Sequence, residues 1–149
     1  MKLFTRAYQL PPRIATGAYI LNSGLNKAKA DQETAVGLLG MAAGTYPFLR
    51  GKDPEQFVKL LSKVEIAVGV ALLIPAVPSL VAGAALTAFA GGLLGLYLKT
   101  PGMRQEGSLR PSQNGIALAK DVWLMGIGLG LVLDELSAEP RTIIDLQCP

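Results

Sequence analysis

The chain has 149 residues, of which 50% are hydrophobic and 17% are charged, and its mean hydropathy is +0.39. Because a soluble domain usually has about 25% charged residues, this composition favours an integral membrane protein. With no histidine and a single cysteine, Cys148, we expect no imidazole-ligated haem, no zinc site and no internal disulfide.

The first predicted helix covers about residues 11–29 and crosses the membrane. Its uncharged centre is short, but Arg13 and Lys27 flank it, and their long stems can lie along apolar surface while the charges reach the headgroups. The next segment, about residues 33–49, is shorter and contains several glycines. We expect an interfacial or half-inserted helix there, with Asp31 as its N-cap. A fifth full span is the alternative.

The stretch from Ile66 to Leu98 contains no charged side chain. A bilayer core about 30 Å thick takes roughly 20 helical residues, so this stretch is too long for one upright span. Pro75 and Pro78 interrupt it, and together they predict a tight turn. Two antiparallel spans result, about residues 55–75 and 79–98, and Asp53 is expected to cap the first of them.

A loop rich in Gly, Pro, Ser and Arg follows, and the last predicted span covers about residues 114–133. The polar tail, residues 134–149, is expected either to be mobile or to dock on a partner. The sequence therefore predicts a single all-α domain. We expect an integral membrane four-helix bundle with an extra interfacial or half-inserted helix between the first and second spans.

Small residues at helical spacing predict how the spans pack. Apolar burial gives little drive for helix association in lipid, whereas small side chains let two helix backbones approach closely. The candidate packing residues on the first, third and fourth spans are Gly17, Gly24, Gly83, Thr87, Gly91, Gly95, Gly126 and Gly130. Either these faces close a tight four-helix bundle, or one of them forms the seam of a homodimer.

Ionisable groups near the apolar spans are the candidates for a functional site, because charge at membrane depth costs about 2.5–3.5 kcal/mol. The candidate polar cluster consists of Arg13, Lys27, Lys63, Glu65, Lys120 and Asp121. The plainer alternative is that the cations mark where helices leave the hydrocarbon. Glu65 has a short stem, so we expect it to form a buried and mainly structural ion pair with Lys27, Lys63 or Lys120.

Three short motifs occur in a characteristic order. They are Arg13-Ile-Ala-Thr-Gly17 followed by Asn22-Ser-Gly24-Leu-Asn-Lys27, then Glu65-Ile-Ala-Val-Gly69, then Lys120-Asp121. This order resembles the DoxX family of small four-span bacterial membrane proteins, over about residues 13–133. The resemblance implies a bundle that works beside redox functions, such as thiosulfate–quinone oxidoreduction, oxidative-stress complexes or maturation of periplasmic enzymes. It assigns no catalytic residues, and this chain differs in its longer insert at residues 28–54 and its lack of a cysteine pair.

We expect an accessory or scaffold subunit of a redox-linked complex in the bacterial inner membrane, rather than an enzyme in its own right. One alternative is a quinone-interacting oxidoreductase subunit that holds the quinone near Glu65, Arg13 and Trp123. Another is a small-solute or ion carrier. The expected partners are the lipid bilayer, other membrane or membrane-associated proteins and, in the alternative packing, a second copy of the chain.

The net charge of +3 does not indicate nucleic-acid binding, because membrane proteins often carry excess Lys and Arg at their cytoplasmic edge. The side of the membrane on which the termini lie stays open. The distribution of cations favours outward termini, whereas the resemblance implies the reverse.

Overall fold

The computed structural model describes residues 5–138, and this part of the chain is helical, with no β-strand. The predicted all-α class is confirmed. The helices are α1 (Leu10–Lys27), α2 (Gln32–Thr45), α3 (Pro54–Leu73), α4 (Ser79–Lys99), the single turn α5 (Ile116–Ala119) and α6 (Asp121–Leu136). Asp134 and Glu135, predicted to begin the polar tail, still belong to α6. Leu136 is the last residue of α6, and the tail from residue 139 onward, including Cys148, lies outside the described residues.

Local sequence signals explain where several helices begin and end. The Asp31 side chain accepts a hydrogen bond from the backbone N–H of Thr34 at 2.9 Å, which caps α2 and lowers the pKa of the Asp31 carboxyl. Asp53 caps α3 in the same way through Gln56, at 2.8 Å. The proline-containing turn ends α3 at Leu73 and lets α4 begin at Ser79.

Two segments of the described chain are long and apolar enough to cross a membrane, Ser79–Lys99 and Gln113–Leu136. The second consists of a 3-10 turn, α5 and α6 in succession, with Lys120 between α5 and α6. This finding supports a membrane protein by length and composition.

The helices are organised as two tightly packed pairs, α1 with α3 and α4 with α6. In the first pair, a Cβ placed on Gly69 would lie 2.7 Å from the backbone nitrogen of Leu21 and 2.9 Å from the carbonyl oxygen of Gly17. In the second, a Cβ on Gly83 would lie 2.9 Å from the carbonyl oxygen of Gly128. Only glycine permits backbones to approach this closely.

The glycine face of α6 differs from the predicted one. A Cβ added to Gly126 or Gly130 would meet no atom of another segment within 4 Å, whereas Gly128 lies against Thr87 and Gly83. The three glycines alternate with larger residues, so two different faces of α6 carry small side chains. The face that contains Gly128 packs against α4 inside the bundle, and the face that contains Gly126 and Gly130 points outward.

The other candidate packing residues of α1 and α4 lie inside the bundle. Gly24 faces Glu65 and Ile66 of α3 at about contact distance. Gly91 lies opposite Met125, and Gly95 lies beside the hydroxyl end of the Tyr46 side chain. The core between the two pairs is formed by aliphatic side chains, namely Ile20, Val68, Leu72, Ala82, Leu86, Ala90, Leu124 and Leu131.

Candidate functional site

A cavity of about 590 Å³ lies between the two helix pairs, at the end of the bundle where α1 ends and α6 begins. Its volume is within the range of small-molecule sites. Most of the lining is apolar, and α2 closes one side of it. The apolar lining includes Ile20, Leu38, Met41, Phe57, Leu61, Phe89, Leu93, Leu96, Met103, Leu118 and Leu124, and the polar lining includes Ser23, Lys27, Glu65, Asn114 and Asp121.

A buried ion pair lies in the cavity wall. Lys27 Nζ is 3.0 Å from Glu65 Oε1 and 3.1 Å from Oε2, and it also donates to Ser23 Oγ at 2.7 Å. Glu65 is only 2% exposed. Gly24 makes this pairing possible, because the absence of a side chain lets α1 approach α3 beside Glu65. The pair therefore joins two helices and places a neutralised charge beside the cavity.

Asp121, the first residue of α6, lies in the same wall and is 7% exposed. Among the residues that the structure describes, its carboxylate has no hydrogen-bond partner and no salt bridge. Every fully sealed side-chain polar atom in this part of the chain does have a hydrogen-bond partner. The Asp121 oxygens must therefore open into the cavity.

Three members of the candidate polar cluster lie together, and the other three do not join them. Lys27, Glu65 and Asp121 line the cavity. Lys63 and Lys120 are exposed. Lys120 lies immediately before α6, where a cation that marks a helix end is expected, whereas Lys63 lies in the middle of α3. Arg13 lies near the start of α1, at the opposite end of the bundle, and does not line the cavity.

Arg13 is fully buried and caps the carboxyl end of α3. Its guanidinium donates to acceptors of the α3–α4 turn at 2.8–3.0 Å, in addition to Thr5 Oγ1 at 3.0 Å. The acceptors in the turn are the carbonyl oxygens of Ala71, Leu72, Ile74 and Val77 and the hydroxyl of Ser79. Because the last carbonyls of a helix carry partial negative charge, they act here as the counter-charge of the guanidinium.

The network around Arg13 reaches α6 through Gln9, which is 2% exposed. Ser79 Oγ donates to Gln9 Oε1 at 2.8 Å, and Gln9 Nε2 donates to Glu135 Oε1 at 3.0 Å and to Asp134. The sequence carried no signal for this role of Gln9. The network ties the start of α1, the α3–α4 turn and the end of α6 together.

The aromatic residues do not form a site around Trp123. Trp123 is 68% exposed and lies outside the cavity lining. Tyr46, at the end of α2, donates its hydroxyl to the carbonyl oxygen of Gly92 at 2.7 Å. Tyr46 therefore fastens α2 to α4 over the cavity. Ser23, Asn114, Phe89 and this contact of Tyr46 were not identified from the sequence, because each depends on which helices are neighbours.

Compared with known proteins, the chain matches no family model, no curated protein and no solved structure.

Proposed function

We propose that this protein is a multi-pass membrane protein that binds a lipophilic small molecule in the cavity between its two helix pairs. The observation that carries the proposal is the cavity itself: an apolar volume of about 590 Å³ with a buried ion pair and an unpartnered carboxylate in its wall. A largely apolar pocket with a few converging polar groups is the usual form of a small-molecule site.

The outer surface of the bundle supports the membrane part of the proposal. Only 28% and 22% of the two apolar segments is buried inside the protein. The helices α1 and α3 also expose large apolar side chains, for example Ile14 at 52%, Leu25 at 49% and Leu60 at 63%. The charges that these two helices hold inside the bundle are paired, as in Lys27 with Glu65, or capped by carbonyls, as in Arg13. Lys63, in the middle of α3, is exposed on the outer surface. We therefore propose four spans, α1, α3, α4 and α6, in the bacterial inner membrane.

Cavity-filling variants test the proposal. Ala88 lines the cavity, whereas Ala84 is exposed one turn earlier on α4 and does not. The protein and the variants Ala88→Phe and Ala84→Phe are purified in mild detergent, and their organic extracts are analysed by mass spectrometry. We expect a lipophilic compound in stoichiometric amount with the unmodified protein and with Ala84→Phe, and its loss with Ala88→Phe. Identical extracts from all three would contradict binding in this cavity.

A second function, that of an accessory subunit, is favoured by the outward face of α6. Gly126 and Gly130 lie open on this face, next to Trp123 and Leu133, which are 68% and 60% exposed. In lipid, such a face lets another helix approach closely. We propose that it docks a membrane partner, the role that the resemblance to the DoxX family implies.

The docking role is tested with Gly126→Leu, which adds bulk to the outward face only. We expect this variant to lose a protein that copurifies from native membranes, while its own thermal midpoint is no lower than that of the unmodified protein. A mass that fits two copies of this chain would assign the face to a homodimer. Purification of the unmodified protein as a lone monomer would refute the docking role.

A further inference from the structure

The polar wall of the cavity offers free acceptors and few free donors. An ammonium group has three N–H donors, and Lys27 has three acceptors within reach, Ser23 Oγ and both oxygens of Glu65. The hydroxyl of Tyr46 already donates to Gly92. The donors of the lining that remain free are the amide of Asn114 and the hydroxyl of Tyr19, both on exposed residues, and the hydroxyl proton of the half-buried Ser23.

The acceptors that remain free belong to Asp121. Its carboxylate is more than nine-tenths buried, opens into the cavity and has no partner among the described residues. Burying a carboxylate without a hydrogen-bond donor or a cation is costly. With Lys27 and Glu65 neutralising each other, the formal charge of the wall is that of Asp121, which is negative.

This inference rests on the proposed function, that the cavity binds a lipophilic molecule. We propose that the ligand has a head group that donates a hydrogen bond, a hydroxyl or a protonated amine, and that the Asp121 carboxylate accepts this hydrogen bond. The apolar body of the ligand lies against the apolar lining, which includes Phe89, Leu93 and Met41. A head with acceptors only, such as an oxidised quinone, gives the Asp121 carboxylate no donor and can use only the half-buried hydroxyl of Ser23 and the exposed donors of Tyr19 and Asn114. A reduced quinol, with two hydroxyl donors, fits the same wall.

The donor requirement is tested with three aromatic probes of similar size and with the protein in lipid nanodiscs. The probes are 1-naphthol, which donates, 1-methoxynaphthalene, which does not, and 2,3-dimethyl-1,4-naphthoquinone, which only accepts. Binding is measured by equilibrium dialysis against empty nanodiscs, which removes the contribution of lipid partitioning. A hydrogen bond to a charged acceptor contributes about 1.5–3 kcal/mol, so we expect 1-naphthol to bind roughly 10-fold to 100-fold more tightly than its methyl ether.

Variants locate the effect. Asp121→Asn replaces a charged acceptor by a carboxamide that accepts more weakly and also donates, so we expect it to reduce the preference for 1-naphthol and to strengthen binding of the quinone probe. Glu106→Gln, which removes an exposed carboxylate of the α4–α5 loop away from this cavity, is expected to behave as the unmodified protein. Competition of 1-naphthol by n-dodecylamine shows whether an amine can supply the donor.

The outcomes separate this inference from the function on which it rests. Equal binding of the three probes, or tightest binding of the quinone to the unmodified protein, would overturn the donor requirement while leaving the cavity as a lipophilic site. If no probe and no amine binds beyond empty nanodiscs, both the cavity function and the donor requirement are overturned. The comparison of probes on the unmodified protein needs no variant to fold.

Discussion

Replacement of Arg13 by methionine should destabilise the bundle more than any change of an exposed cation. The guanidinium makes six hydrogen bonds, four of them to backbone carbonyls at the end of α3 and in the following turn. A buried carbonyl left without a donor costs roughly 1–3 kcal/mol. Methionine fills much of the volume of the arginine side chain, and it removes the free-energy cost of burying a charge. Both effects offset part of this loss.

The net loss expected for Arg13→Met is about 3–5 kcal/mol, the range found when one partner of a buried ionic contact is removed. At about 3 °C per kcal/mol for a chain of this length, the thermal midpoint falls by about 10–15 °C. Thermal unfolding in mild detergent, followed by circular dichroism, measures the shift. Arg13→Lys should fall in between, because an ammonium has three donors in place of five.

Arg110→Met is the matched control, because Arg110 lies exposed in the α4–α5 loop and its side chain makes no hydrogen bond within the described residues. Its midpoint should stay within the scatter of ordinary surface substitutions, about 0.5 kcal/mol. Equal midpoints of Arg13→Met and Arg110→Met would refute the capping role of Arg13.

Three further predictions concern the ion pair, the helix seam and the contact over the cavity. Lys27→Met leaves the Glu65 carboxylate buried without its cation, so the free energy of unfolding should fall by about 3–5 kcal/mol and the thermal midpoint with it. Adding Glu65→Leu to Lys27→Met should recover much of this loss. If the effects of the two substitutions were simply additive, the pairing would be contradicted. Gly128→Ala should lower the thermal midpoint, because the added Cβ would meet Thr87. Gly126→Ala adds a methyl group to an open helix face, so it should raise the free energy of unfolding by about 0.5–1 kcal/mol. Tyr46→Phe removes the hydroxyl that donates to α4, so we expect the free energy of unfolding to fall by about 1 kcal/mol and hydrogen exchange in α2 to become faster. Unchanged exchange in α2 would refute that contact.

The helix ends followed from local chemistry, which explains why they could be predicted from the sequence. Asp31 and Asp53 cap the helices for which they were expected, and the prolines at 75 and 78 separate α3 from α4. Such signals depend on residues within one turn of each other. A sequence contains this information without any knowledge of the tertiary structure.

The partners of buried polar groups depend on tertiary packing and were harder to predict. Three lysines were candidates for the ion pair with Glu65, and the structure uses Lys27. Lys63 is two residues from Glu65 on the same helix, so their side chains point to different faces. Lys120 lies at the start of α6 but points away from the cavity. The choice required knowledge of which helices are neighbours.

The capping role of Arg13 could not be predicted from the sequence for a related reason. Buried arginine in a membrane helix suggests a carboxylate partner or a headgroup, whereas here the acceptors are main-chain carbonyls, which every residue has. Similarly, the alternating glycines of α6 offered two equivalent faces. Only the position of α4 decides between them.

During synthesis of the chain, Arg13 is made well before the carbonyl groups that accept its hydrogen bonds. The four carbonyls that it caps belong to residues 58–64 positions further along the chain. At roughly 5–20 residues per second, a ribosome needs roughly 3–13 s to supply them. During this interval α1 carries an uncompensated cation close to its amino end and lacks the glycine seam with α3. The first helix of this protein can therefore complete its polar contacts only after the third helix and the proline turn that follows it have been synthesised.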